Sequence, residues 1–161
     1  MSFQRKKRAR TRTGSFRIID RAGSEFLAQI NLSQIVYEEK EALFVSWSDI
    51  THIRKTEELN RKLSQAVEQS PVSVVITNID GNIEYANPNA CKTTGYELDE
   101  LLGKNPRVLQ SGETTSAEYI NLWSVISSGK VWSGIFHNKK KNGELYWESS
   151  SIAPITDSTG K

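Results

Sequence analysis

The chain has 161 residues, with 37% hydrophobic and 25% charged side chains and a formal net charge of +2. That is the profile of a globular protein with room for one full domain and a smaller piece, and no apolar run approaches the ~20 residues of a membrane span. A single cysteine, Cys91, excludes an internal disulfide or a cysteine-based zinc cluster, and His52 and His137 alone are too few to suggest a structural metal site.

The first seventeen residues hold seven Arg or Lys and no acid. Arg5-Lys6-Lys7-Arg8-Ala9-Arg10 has the charge of a nucleic-acid or acidic-lipid patch. It has no aromatic interleaving and no recognition helix, so a solvated segment is expected and no nucleic-acid partner. No apolar segment follows it, as a signal peptide would require. Three strand-like runs come next. Phe16–Ile19 ends at the turn signal Asp20–Gly23. Glu25–Ile35 alternates, with Phe26, Ala28, Ile30 and Leu32 on one face and Gln29, Asn31 and Ser33 on the other. A charged turn at Glu38–Glu41 leads to Ala42–Ser48, rich in aromatic and β-branched residues. Together they predict a three-stranded antiparallel meander with no helix of its own to cover the apolar face.

Thr51–Gln69 is polar, free of Gly and Pro, and rich in helix formers. Leu59, Leu63 and Ala66 form a narrow apolar seam. A short coiled-coil connector fits that seam, and a helix packed on its own domain stays open as the alternative. Pro71 closes the segment.

From Val72 onward the pattern is that of a small domain. Val72–Asn78 and Ile83–Tyr85 are short strands around the hairpin signal Asp80-Gly81. Asn87-Pro88 opens a helix as N-cap and first helical residue, and Thr94-Gly95-Tyr96 stops it. Glu97–Leu102 is a further turn of helix. Thr115 and Glu118 make a capping box, and the helix they open is expected to bury Tyr119, Leu122, Trp123 and Ile126. Two long strands, Val131–Lys139 and Glu144–Ile155, follow around Asn142-Gly143, and Asp157–Lys161 reads as a turn.

These segments resemble a PAS domain. Ser70-Pro71-Val72, Ile76 to Pro88, Thr94-Gly95-Tyr96, Gly103 to Arg107, Leu109 to Gly112, Trp132-Ser133-Gly134 and Asn142 to Trp147 stand in that family's order. Trp47 to Thr51, containing Asp-Ile-Thr, is similar to the end of another PAS domain before its exit helix. The resemblance implies an α+β PAS fold: a five-stranded antiparallel sheet, its last strand truncated here, with short helices on one face. It also implies residues 1–50 as the terminal strands of a truncated first PAS domain, 51–69 as a linker helix and 70–161 as a second PAS domain. The chain thus reads as cut at both ends.

Strand parity puts Trp132, Gly134, Phe136 and Asn138 on one face, and Tyr146, Glu148, Ser150 and Ile152 on one face of the next strand. The resemblance is closest to redox-sensing flavin PAS domains, which share Trp123, Trp132 and Asn138 in matching places. It implies a pocket with Asn138 at the ring edge, Glu148 as a second polar contact and Trp132 and Trp123 beside it. Parity adds Ser150 to that pocket, and Arg107 is the nearest basic candidate to pair with Glu148 if no ligand is present. FAD or FMN is the leading named ligand, and a pocket with no ligand stays open. The photosensory LOV group is also similar, but Pro106 stands where its reactive cysteine would fall, so adduct chemistry is excluded. Val75 and Pro106 depart from the flavin pattern as well. Haem is disfavoured, because His137 has outward parity, and Cys91 reads as a small core residue. No catalytic or metal site is expected. The resemblance implies a cytoplasmic sensory input and relay module of a multi-PAS histidine kinase or cyclic-dinucleotide enzyme. It would form a homodimer through the PAS domain and linker helix and pass its signal to an output domain. A ligand-free dimerisation module is the alternative.

Overall fold

The computed structural model describes residues 11–156, so the basic head at 5–10 and the turn at 157–161 lie outside the described residues. The chain divides into two compact units, Met1–Ser64 and Gln65–Lys161.

In the first unit, β1 (Thr11–Ile19), β2 (Glu25–Tyr37) and β3 (Lys40–Asp49) form an antiparallel meander in that order. The alternation of β2 sets its register: Ile30 lies between Gly14 and Trp47, and Leu32 between Arg12 and Val45. Phe26, Ala28, Ile30 and Leu32 therefore share a face with Phe16, Ile18, Val45 and Trp47. That face forms an apolar groove of about 230 Å³ lined by Ile18, Phe26, Ile30, Val45 and Trp47. The opposite face carries polar pairs across β1 and β2, with Thr13 Oγ1 donating to Asn31 Oδ1 at 2.8 Å and the Thr11 and Ser33 hydroxyls 3.1 Å apart. Those pairs explain why β1 includes Thr11–Ser15 ahead of Phe16: cross-strand polar bonds extend it where apolar alternation gives no sign. The β2–β3 turn is narrower than expected. Glu38 and Glu39 alone turn the chain, both in the left-handed region with φ of 47° and 63°.

Helix α1 (Thr51–Glu68) starts directly after β3. Asp49 Oδ1 accepts from Thr51 N at 2.8 Å, and Thr51 Oγ1 accepts from Leu27 N at 2.7 Å. The helix buries none of its residues, and the seam leucines Leu59 and Leu63 are exposed. Among the described residues, no helix is long and apolar enough to cross a membrane.

The second unit carries β4 (Val75–Thr77), β5 (Ile83–Ala86), α2 (Pro88–Thr94), α3 (Leu98–Leu101), a 3-10 turn at Pro106–Leu109, α4 (Ser116–Ser127), β6 (Trp132–Lys139) and β7 (Leu145–Ile152). Its core is Ile83, Ala86, Ala90 and Leu101, with Cys91, Tyr96 and Val108 packed against it. The caps form as expected. Asn87 accepts from Ala90 N, and Thr115 and Glu118 complete their reciprocal box. Two strands are shorter than expected. Val72–Val74 stay out of β4 because Asn87 takes their backbone: its Nδ2 donates to Val72 O and its Oδ1 accepts from Val74 N. β7 stops at Ile152, two residues before Pro154, which has no N–H for a ladder. The fold is the expected α+β antiparallel type, but its four strands make two separate ladders, β4–β5 and β6–β7. No described strand joins them into one five-stranded sheet.

Candidate ligand-binding site

The site is built on β6 and β7, whose register pairs Asn138 with Tyr146, Phe136 with Glu148, Gly134 with Ser150, and Trp132 with Ile152. All eight are buried or half-buried, whereas Ser133, Ile135, Leu145, Trp147, Ser149 and Ser151 between them are exposed. Asn138 is 8% exposed, and its Nδ2 donates to Glu148 Oε2 at 2.8 Å. A carboxylate withdrawn from water needs such a donor. Beside it, the Tyr146 hydroxyl oxygen is buried with no partner in hydrogen-bond geometry among the described residues. Burial first, and then the nearby Glu148 carboxylate, push the Tyr146 phenol up to about 12, against a smaller opposing pull from the Asn138 side chain beside it.

An aromatic wall adjoins these polar groups. The rings of Trp132 and Phe136 lie 5.1 Å apart, and Tyr119 of α4 stacks on Phe136 at 6.1 Å. Gly134 is the seat of the tryptophan: a Cβ there would lie 2.3 Å from the Trp132 ring. Trp132 Nε1 reaches α4 by donating to Asn121 Oδ1 at 3.1 Å.

Four expected site residues thus share one face: Asn138, Glu148, Ser150 and Trp132. Two do not join them. Trp123 is 52% exposed, so the expectation that α4 buries it is corrected; Leu122 is the buried residue of that helix. The single apolar step from Leu122 to Trp123 turns about 100° around a helix, enough to carry the indole off the inner face. Arg107 does not pair with Glu148. Its guanidinium donates to Asn105 Oδ1 at 3.1 Å on an exposed turn, and Asn138 is the described partner of the carboxylate. The site residue that sequence reasoning missed is Tyr146. Its inward parity was legible, but a hydroxyl left without a partner becomes visible only with the packing around it.

On the outer face His137 is less solvated than a surface histidine. Its ring stacks on Trp147 at 4.2 Å, and its Nδ1 lies 2.5 Å from Glu113 Oε2.

The PAS domain profile matches residues 2–52 and 71–161. The chain belongs to the PAS domain family, whose members are sensor modules of signal transduction. It is 37% identical over 95 residues to a nitrogen fixation regulatory protein of Klebsiella oxytoca, covering 59% of this chain and 19% of that protein. It is 37% identical over 99 residues to a blue-light-activated histidine kinase of Brucella ovis, covering 60% of this chain and 20% of that one. The chain thus spans about a fifth of the length of these curated relatives. The solved PAS domain of a protein from Colwellia psychrerythraea superposes with a TM-score of 0.60 at 19% identity, covering 64% of this chain and 87% of that one, which is a likeness of fold.

Proposed function

We propose that this chain is a sensory input and relay module of a multi-PAS signalling protein with a histidine kinase or cyclic-dinucleotide output, and that β6 and β7 form its ligand face. The observation that carries the reading is the inward polar set of Asn138, Glu148 and Tyr146, in which the Tyr146 hydroxyl has no hydrogen-bond partner among the described residues. A core serving only to fold the domain is cheaper in hydrocarbon, because each withdrawn polar group costs free energy unless matched. A partnerless buried oxygen beside an amide–carboxylate pair and an aromatic wall fits a flat heteroaromatic ligand with donors and acceptors along one edge. A flavin has that chemistry, and it would supply redox sensing. Asn138 and Tyr146 would meet its polar edge, and Trp132 and Phe136 would flank its rings. Trp123 and Arg107 have no part in this proposal. Pro106 in place of a reactive cysteine leaves no route to a light-driven cysteinyl adduct.

The test is the visible absorption spectrum of the purified protein, as isolated and after incubation with FMN or FAD. A yellow protein that bleaches on reduction and loses its colour in Asn138→Ala supports the flavin reading. A protein that stays colourless and binds neither flavin overturns it.

A second reading draws on the outer face, where Ile135, Leu145 and Trp147 stand exposed side by side. Such a patch suits pairing of two copies, and the module would then work through its dimer with or without a ligand.

A further inference from the structure

Asn87 makes more contacts than a helix cap needs. It is fully buried, and its amide forms four hydrogen bonds of 3.0 Å. Oδ1 accepts from Val74 N and from Ala90 N, one of the orphan donors in the first turn of α2. Nδ2 donates to Val72 O and to Val67 O, a carbonyl in the last turn of α1. One side chain therefore closes the C-terminal end of one helix and the N-terminal end of the next. Only an amide of this length offers both an acceptor and two donors; serine or aspartate would cap α2 but could not serve both carbonyls. Next to it, Tyr85 Oη donates to Glu68 Oε1 at 2.6 Å, a second tie on the same turn of α1.

The contacts continue toward the candidate ligand face. Lys141, in the β6–β7 hairpin, donates its backbone N–H to Thr94 O at the end of α2, and its Nζ lies 2.6 Å from Glu100 Oε1 of α3. A bonded route thus runs from the β6–β7 hairpin through α2 to Asn87 and into α1, a helix with no fully buried side chain of its own.

We propose that Asn87 is the joint between α2 and α1, a positioning residue that makes the first turn of α2 and the last turn of α1 move as one. This deepens the relay reading and rests on it: the joint is where a change at β6 and β7 would enter the connecting helix.

The experiment is amide hydrogen exchange on the 161-residue chain, read as protection factors. Asn87→Asp keeps the acceptor for Val74 and Ala90 and removes both donors. At neutral pH the amides of Glu68, Gln69 and Ser70 should lose protection about tenfold, while Ala90 and Cys91 keep theirs. As the pH falls and the new carboxyl gains a proton, it regains one donor, and protection in α1 should return in part. Unchanged protection at 68–70, or equal loss in both helices, overturns the proposal. If Asn87→Asp does not fold, Asn87→Ser, which can cap α2 but cannot serve both carbonyls, keeps the proposal falsifiable: a loss of protection at 68–70 with Ala90 and Cys91 unchanged supports it, and no change at 68–70 overturns it. The relay reading fails separately. It falls if Asn87→Asp loosens α1 as described while FMN, once bound to the parent chain, leaves protection at 68–70 unaltered.

Discussion

Two antiparallel ladders in this chain share a construction and differ in chemistry. The β1–β2–β3 face is hydrocarbon over its centre, at Phe16, Ile18, Phe26, Ile30, Val45 and Trp47, and its charged groups, Arg12, Glu41 and Asp49, lie toward its margins. The matching face of β6–β7 places Asn138, Tyr146, Glu148 and Ser150 among its aromatics. Strand alternation alone yields a half-buried face in both cases. What fills the alternate positions decides whether that face can only pack or can also recognise. A hydrocarbon face gains from any apolar cover, whereas a polar one is stable only when each donor and acceptor is matched.

The comparison is broken most strongly on the polar ladder. Asn138→Ala strips Glu148 of its described partner and should cost about 1–3 kcal/mol in urea unfolding. Replacing Asn138 and Glu148 together by leucine should cost far less, because two matched polar groups leave together. Equal costs for the single and double changes would count against the pairing. Gly134→Ala should cost a similar 1–3 kcal/mol by driving Trp132 off its seat, with a change in tryptophan emission. On the hydrocarbon ladder, the half-buried Ile30→Ala should cost up to about 2 kcal/mol and leave ligand uptake by the second unit unchanged.

The smaller effects sharpen the contrast. Tyr146→Phe removes a buried oxygen that has no partner among the described residues, so stability without ligand should hold or rise slightly. Its pH signature has a definite sign. The folded phenol is raised to about 12 from an unfolded value near 10, so its contribution is complete below about pH 10 and is lost as the pH rises toward 12. Alkaline unfolding of Tyr146→Phe should lack part of that loss. Glu38-Glu39→Asn-Gly relieves two left-handed positions and should raise stability by about 1 kcal/mol, seen as a higher melting temperature of the first unit.

Much of this arrangement was legible in the sequence. Period two assigned both faces of β2 and the inward set of β6 and β7 correctly, because one buried face fixes register. Asn87, Thr115 and Glu118 announced their helix ends through capping chemistry that is local to a few residues. The failures come from contacts that residue type and spacing do not show, some local and some distant in sequence. Trp123 reads as core by hydrophobicity, and its place on the turn after Leu122 takes it outward. Arg107 reads as a counter-ion for Glu148, but Asn105 two residues away holds it first. Val72–Val74 read as strand, and the Asn87 side chain takes their backbone groups. Tyr146 matters through what its hydroxyl lacks, and no local pattern carries that.

The central claim is that the polar face of β6–β7 receives a small molecule. Native mass spectrometry of the purified 161-residue chain, paired with the visible spectrum of the same sample, tests it most directly. The account predicts a bound small molecule, present as isolated or taken up from FMN or FAD, with the added mass lost in Asn138→Ala. A chain that keeps its bare mass under all three conditions, or keeps the added mass in Asn138→Ala, would contradict it.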